Sequence, residues 1–497
     1  MKKIGSLPEN GAVYGVYAEG LGKYGAYQIL EAEKGSICYV VLDYLETELP
    51  EEEILSTLKP LKQERYRYHG AIDIKYISND RVPRDYRFIG ICPPVTEKKC
   101  NTFSGDWADG REYEYEENWK ISNEHQRAEY KKYINSGDRV KIGIETYSKN
   151  YGRLNMKLYE AAGGKLNPEL FPCMSYAELE GPVHDIINSL SGAELIIKLR
   201  WDSPETEVLD LRNTHFSDLD IDGTGVKKIY LPSKARSLTL RGTLDSELEI
   251  IREDSKPGIS LAIVTQQEIN SNFSLINVSS LRIGEISELD LKEILPLFPG
   301  LRQLSLNGKP GYIKGLEALR EMKQLRSILI GSLFGYTAED LKVLEELPEL
   351  RKLYMECIPK EAGAAAKKTW KGKLDSLDVR MLRGDDWLKD NLDNPFRHWD
   401  GNGFVPDGAF KKAKDQYKKT KKAFLKAESK EMAVLAVKEY GEVFNRLNRR
   451  YNEFIETEER EDIFSILGEL YKECLSSKDL ISEDEVMNIL DGIRDDW

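Results

Sequence analysis

Near the start of the chain, Gly20-Leu21-Gly22-Lys23-Tyr24-Gly25 matches G-x-G-x-x-G, with acids further on at Asp43 and Glu46. A dinucleotide fingerprint of this form works only where a helix opens at the last glycine, so that its first amides can hold pyrophosphate. Here the residues after Gly25 alternate like a strand. A kinase-type glycine loop does lie between strands, but it needs a lysine on the next strand, and none occurs between Ile37 and Leu45. The nucleotide reading fails, and the glycines are expected to make a hairpin turn.

Asp218, Asp220, Asp222 and Gly223 spell D-x-D-x-D-G, the opening of a calcium loop. The twelfth position should then be a bidentate glutamate, and it is Ile229. Because Phe216, Leu219 and Ile221 are apolar, the aspartates are expected to decorate the solvent side of a strand. Asp400-Gly401-Asn402-Gly403-Phe404 fails the same test at its fifth position. The five histidines (His69, His125, His184, His215, His398) show no metal-ligand spacing. There is no G-x-S-x-G elbow, and no cysteine sits in a nucleophile context. The expectation is a protein without catalytic residues, cofactor or metal.

The elements that carry these residues must be fitted into 497 residues, about three domains' worth. The net charge of −13 argues against a nucleic-acid-coating protein. It would suit a basic partner. No run of about 18 apolar residues is found, and Met1-Lys2-Lys3-Ile4 has no apolar stretch behind it, so neither membrane span nor secretory signal is expected. Cys38, Cys92, Cys100, Cys173, Cys357 and Cys474 lie far apart without C-x-x-C, which fits reduced thiols in a cytoplasmic protein.

Composition divides the chain. Of 26 tyrosines, 17 precede residue 160. Val13 to Tyr17, Gly25 to Leu30, Ile37 to Leu42 and Tyr86 to Ile91 read as strands of a small antiparallel sheet, with a short helix after Pro50. Residues 1–120 are expected to form this Tyr-rich domain. Residues 121–200 are read as a connecting α/β segment, with a helix near 124–133, a strand near 140–146 and a helix near 176–190. Residues 394–497 are read as a helical cap, from Phe410, Ala413, Tyr417, Thr420 and Phe424 at helical spacing and a capping box at Ser482 to Glu485. Within it, 411–450 holds 13 basic and 5 acidic residues and 456–497 holds 4 basic and 14 acidic, so helices of opposite sign should pack together or solvate their outer faces.

Residues 201–393 carry a repeat. L-x-x-L-x-L frames fall at Val278/Leu281/Ile283, Leu301/Leu304/Leu306, Leu325/Ile328/Ile330, Leu350/Leu353/Met355 and Leu374/Leu377/Val379, at intervals of 23, 24, 25 and 24 residues. Helix-period segments lie between them: Leu316, Leu319, Met322, then Leu341, Leu344, Leu347. This pattern resembles leucine-rich repeats, which implies an α/β solenoid. The Asn or Cys usual three residues past the last strand leucine is replaced by Ile286, Lys309, Leu333, Ile358 and Leu382, so apolar packing should hold that turn. Thr206/Leu209/Leu211 and Val226/Ile229/Leu231 fit the same strand template upstream, while 232–277 follows no clear register. The predicted fold class is therefore α+β and multi-domain: antiparallel N-terminal sheet, leucine-rich-repeat solenoid, helical cap.

In such strands the leucines point inward and the intervening residues line the concave side. Three columns result: Ser280, Gln303, Ser327, Lys352, Ser376; Arg282, Ser305, Leu329, Tyr354, Asp378; and Gly284, Asn307, Gly331, Glu356, Arg380. Arg282, Gln303, Ser305, Asn307, Leu329, Lys352, Tyr354, Glu356, Asp378 and Arg380 are the candidate protein-binding residues, since arginine and aromatic side chains are common energetic centres of interfaces.

The opening stretch adds a family likeness. Gly11-Ala12-Val13-Tyr14-Gly15-Val16-Tyr17, Gly22-Lys23-Tyr24-Gly25-Ala26-Tyr27-Gln28-Ile29-Leu30, Val40-Val41-Leu42-Asp43, Glu48-Leu49-Pro50, and Phe88-Ile89-Gly90 before Pro93-Pro94 are similar in order and spacing to the immunity protein 26 family of bacterial polymorphic-toxin systems. The match covers about the first hundred residues, and departs from the family with Ala18-Glu19 in place of a Pro-Leu and Tyr86 near a usual Trp. The resemblance implies a small α+β domain that binds and neutralises a toxin, and brings no catalytic residues with it. The expected function is a non-enzymatic immunity-type protein that occludes a cognate toxin. The alternatives are a leucine-rich-repeat scaffold or regulator without a toxin link, and a hydrolase or transferase with an unrecognised site in the Tyr-rich domain.

Overall fold

The computed structural model describes residues 7–78, 81–97, 103–104, 107–183, 185–253, 258–267, 269, 272, 277–495 and 497. Cys100, His184 and the residues before Leu7 lie outside this set. The chain forms two compact units, Met1–Arg380 and Met381–Trp497.

The first unit opens with a six-stranded sheet in the order Arg87–Ile91, Ala12–Ala18, Lys23–Glu33, Ser36–Glu46, Ile74–Ile77, Phe103–Ser104. Neighbours are antiparallel except the last pair. Alternating side chains supply two cores, because both faces are covered. Tyr14, Tyr27, Tyr39 and Val41 meet Trp107 and Tyr113 on one face, while Val13, Val40 and Leu42 meet Leu55 on the other. Leu55 comes from the 3-10 helix Glu52–Thr57 that follows Pro50.

The glycine motif is a hairpin connection, with a 3-10 turn at Glu19–Leu21 and a left-handed Gly22. Its last glycine has a packing reason. A Cβ on Gly25 would stand 2.0 Å from the Tyr113 ring, which the helix Arg111–Ile121 lays against the sheet. The Tyr113 hydroxyl accepts from the Ala26 N–H at 2.9 Å and lies 2.8 Å from the carbonyl oxygens of Ala26 and Leu42.

The connecting segment holds the expected helix, Glu124–Tyr133, and a two-stranded hairpin, Arg139–Ile142 with Glu145–Ser148. The helix expected over 176–190 is a correction. Among the described residues of that stretch only Asp185–Leu190 is helical, and Tyr176–Glu180 is a strand. Ala177 and Leu179, both buried, alternate with outward neighbours at period two, and parallel pairing on each side decides the conformation.

That strand belongs to an eleven-stranded sheet: Arg153–Leu154, Tyr176–Glu180, Lys198–Asp202, Asp218–Asp222, Ser237–Arg241, Ile259–Ile263, Val278–Asp290, Gln303–Lys314, Ser327–Phe334, Lys352–Pro359 and Ser376–Arg383. From Arg153–Leu154 through Lys352–Pro359 each neighbouring pair runs parallel. Two buried columns hold it together. One passes through Ala177, Leu199, Leu219, Leu238, Leu261, Leu281, Leu304, Ile328 and Leu353, and the other includes Trp201, Ile221, Leu240, Ile263, Ile283, Leu306, Ile330 and Met355.

Two expectations are corrected behind this sheet. Leu209 and Ile229 do lie on strands, but in a separate three-stranded parallel sheet, Val208–Asp210, Lys228–Tyr230 and Glu249–Ile251. Here each turn of chain makes one strand in each sheet. Both alternate apolar residues, so the template registered on the wrong one. Further along, the connections between strands are helical, including the α-helix Lys360–Trp370. Leu316–Glu321 and Asp340–Glu346 are 3-10 rather than α, in keeping with buried leucines spaced three apart.

A shared bend ends the repeat strands. Glu285, Ser332, Cys357 and Met381 all adopt positive φ, between 47° and 53°, two residues past the inward Ile283, Ile330, Met355 and Val379. Ile286, Leu333 and Ile358 follow at once and are fully buried, where an Asn would have bonded backbone. Leu382 is partly buried and Lys309 is exposed.

The second unit is helical: Asp407–Lys426, Lys430–Arg450, Thr457–Cys474 and Glu483–Ile493 close around Phe396, Trp399, Phe424, Tyr440, Phe444 and Leu467. Its basic and acidic halves face each other through Lys421–Glu473 and Lys430–Glu485, both 2.6 Å, and Arg449–Asp495 at 2.7 Å.

Candidate protein-binding face

Stacking inward leucines in register puts the intervening side chains in register too, on the opposite side of the sheet. Ser280, Gln303, Ser327 and Lys352 align across four strands. Arg282, Ser305, Leu329 and Tyr354 align beside them, and Asn307, Gly331 and Glu356 form the third column. Arg282, Gln303, Asp378 and Arg380 are exposed, and Ser305, Asn307, Leu329, Lys352, Tyr354 and Glu356 are half-buried. The ten residues expected to bind a partner are thus brought onto one surface.

They are not equally available. Arg380 donates to Glu356 at 2.7 Å and lies 3.8 Å from Asp378, so three of the ten residues answer one another. The Glu356 carboxylate bonded to it raises the Arg380 pKa, with Asp378 adding to the effect. The Asn307 amide donates to Ser305 at 3.3 Å. Toward the start of the sheet the same side is charged and internally matched, with Arg153–Glu178 at 3.0 Å and Arg241 at 2.5 Å from both Asp202 and Asp220.

Those pairs also account for D-x-D-x-D. Asp218 accepts from Ser217 and Ser237, Asp220 from Arg241, and Asp222 from Thr224. Among the described residues no group of three His, Cys, Asp or Glu could hold a metal ion. Asp400 is a latch in the helical unit, accepting from Trp387. His398 meets Asp462 at 2.6 Å, and the same carboxylate accepts from Trp399. Cys38, Cys173, Cys357 and Cys474 are buried and not joined in disulfides. Burial pushes Cys173 up to about 11, which leaves it a neutral thiol at physiological pH.

The chain matches no family model, no curated protein and no solved structure.

One row of residues was missed. Leu301-Arg302, Leu325-Arg326 and Leu350-Arg351 place an arginine just after the first leucine of three successive repeats. The backbone carries the row across the strands: Arg302 N–H donates to Ser279, Arg326 to Arg302, Arg351 to Arg326 and Asp375 to Arg351, all at 2.8–2.9 Å. Together with Arg236 it receives the N-terminal domain. Glu114 stands 3.8 Å from Arg236, Glu19 pairs with Arg302, Asp85 lies 3.7 Å from Arg351, and Arg84 lies 3.2 Å from Asp375. The Leu-Arg step recurring at fixed repeat position was the available signal. The N-terminal antiparallel sheet and its connections are thus fastened along the edge of the parallel sheet where its strands begin.

Proposed function

We propose that the chain is a non-enzymatic binding protein, built on a leucine-rich-repeat-type solenoid, that holds a protein partner across the open face of its parallel sheet. The alignment of Arg282, Ser305, Leu329 and Tyr354 on four adjacent strands carries this reading. A rigid sheet backed by buried columns presents these side chains at fixed spacing, so little order is lost on binding. The repeat interval, the common left-handed bend and the 3-10 turns support the solenoid reading.

We further propose that it acts as an immunity-type protein, covering a toxin and so neutralising it. The likeness of the opening hundred residues to immunity protein 26 supports this. A second reading, a scaffold with no toxin link, is favoured by the ion pairs at Arg236, Arg302 and Arg351, which make the N-terminal domain a brace for the sheet.

Capture from the native cell with the wild-type chain and the Arg282→Ala/Tyr354→Ala variant tests the face. A partner held by the first and lost from the second is expected, and equal retention moves the site elsewhere. Co-expressing the captured protein then separates the readings: it arrests growth alone and not with this chain if the role is immunity.

A further inference from the structure

The charges on the face indicate what its partner brings. In the columns from Val278–Asp290 to Ser376–Arg383, Glu356 and Asp378 converge on Arg380, and Lys352 is already engaged. Arg282 is different. It is exposed, it has no ion pair among the described residues, and its register neighbours are Ala262 and Ser305, both neutral. An unmatched guanidinium on a neutral polar surface is a ready seat for a carboxylate, which it grips through two parallel N–H bonds.

Leu329 and Tyr354 stand side by side in the same column, two and three strands further on. At about 4.8 Å per strand they lie roughly 10 and 14 Å from Arg282. An extended chain rises about 3.3 Å per residue and turns alternate side chains to the same side. Running across the strands, it would therefore set side chains four residues apart over these two points. A helix, about 10 Å wide, would need a broader channel than one column. An extended backbone needs polar groups alongside, and Gln303 and Ser327 on one flank and Asn307 on the other provide them. Gly331 leaves room for the Asn307 side chain, whose amide oxygen would stand 2.5 Å from a Cβ at that position.

We propose that this part of the face takes an extended segment of the partner, with an Asp or Glu carboxylate on Arg282 and an apolar or aromatic side chain four residues away against Leu329 and Tyr354. The proposal rests on the sheet face being the binding surface. It runs against what the overall charge of −13 implies, because the acidity lies elsewhere while the contact point is cationic.

An array of heptapeptides tests it directly, without the natural partner. Each peptide carries Asp at its second position and Leu or Phe at its sixth, with Lys-for-Asp and Ser-for-Leu controls, and is probed with the full chain. The Asp peptides should bind about tenfold more tightly than their Lys counterparts. Arg282→Glu should invert that preference. Leu329→Ser should remove the advantage of Leu over Ser while leaving the preference for Asp. Equal binding of Asp and Lys peptides overturns the proposal, as does a preference that survives Arg282→Glu, or binding of no peptide. In any of those cases, capture of a partner dependent on Arg282 and Tyr354 still upholds the face as a binding surface; failure of that capture removes both.

Discussion

Tyr113 joins two strands to a helix with one side chain. Its ring fills the space left by Gly25, and its hydroxyl serves the backbone of Ala26 and Leu42. Tyr113→Phe keeps the ring and strands a buried Ala26 N–H, so it should cost about 1–3 kcal/mol in denaturant unfolding. Cys173 gives a pH dependence of definite sign. Its thiol is raised to about 11 by burial, while in the unfolded chain it ionises near about 8.5. The contribution is intact below the unfolded value and is lost as pH rises toward the folded one. Stability should therefore fall between pH 8.5 and 11, and Cys173→Ala should flatten that slope in unfolding curves. At this scale the sequence was legible for side chains whose partners are close in the chain or repeat with it. Tyr113 bonds to residues more than 70 positions away, and nothing in its own neighbourhood announces them.

Strands were the readable elements. Short runs rich in β-branched and aromatic residues, Val13 to Tyr17 and Ile37 to Leu42, read as strands, and the L-x-x-L-x-L frames fixed their own register by recurring. Where two strand stacks share one turn of chain, as at Leu209 and Leu219, local pattern does not say which stack a strand joins. Short segments such as Tyr176–Glu180 are decided by their neighbours in the sheet. The two sides of one strand should respond oppositely to truncation. Ile328→Ala opens a cavity in a fully buried column and should cost about 2–5 kcal/mol. Ser327→Ala, one residue earlier and facing outward, should change unfolding free energy by less than about 0.5 kcal/mol. Similar losses from both would mean that the face is not open.

In the first unit, the N-terminal domain and the parallel sheet are joined by a row of charges. Arg236, Arg302 and Arg351 receive Glu114, Glu19 and Asp85, and Asp375 returns the pairing to Arg84. Partly exposed pairs of this kind weaken as salt screens them. Arg302→Glu with Arg351→Glu should raise hydrogen exchange in the amides of 81–91 and 107–121, and Glu19→Arg with Asp85→Arg should restore protection. Exchange that ignores the reversal would show that apolar contact, not charge, holds the domain. The candidate face was legible because it repeats. This seam was not, since its acidic half is scattered through the first 120 residues with no period of its own.

The columns have a genetic consequence. Each 23–25-residue turn contributes one letter to each row of the face, while its inward leucines are interchangeable with those of its neighbours. An in-frame duplication of 325–349 would write Leu329 twice and lengthen the distance from Arg282 to Tyr354 by one strand, about 4.8 Å. Excision would shorten it by the same amount. Recombination between repeats can therefore respell what this surface recognises without asking the core to learn a new fold.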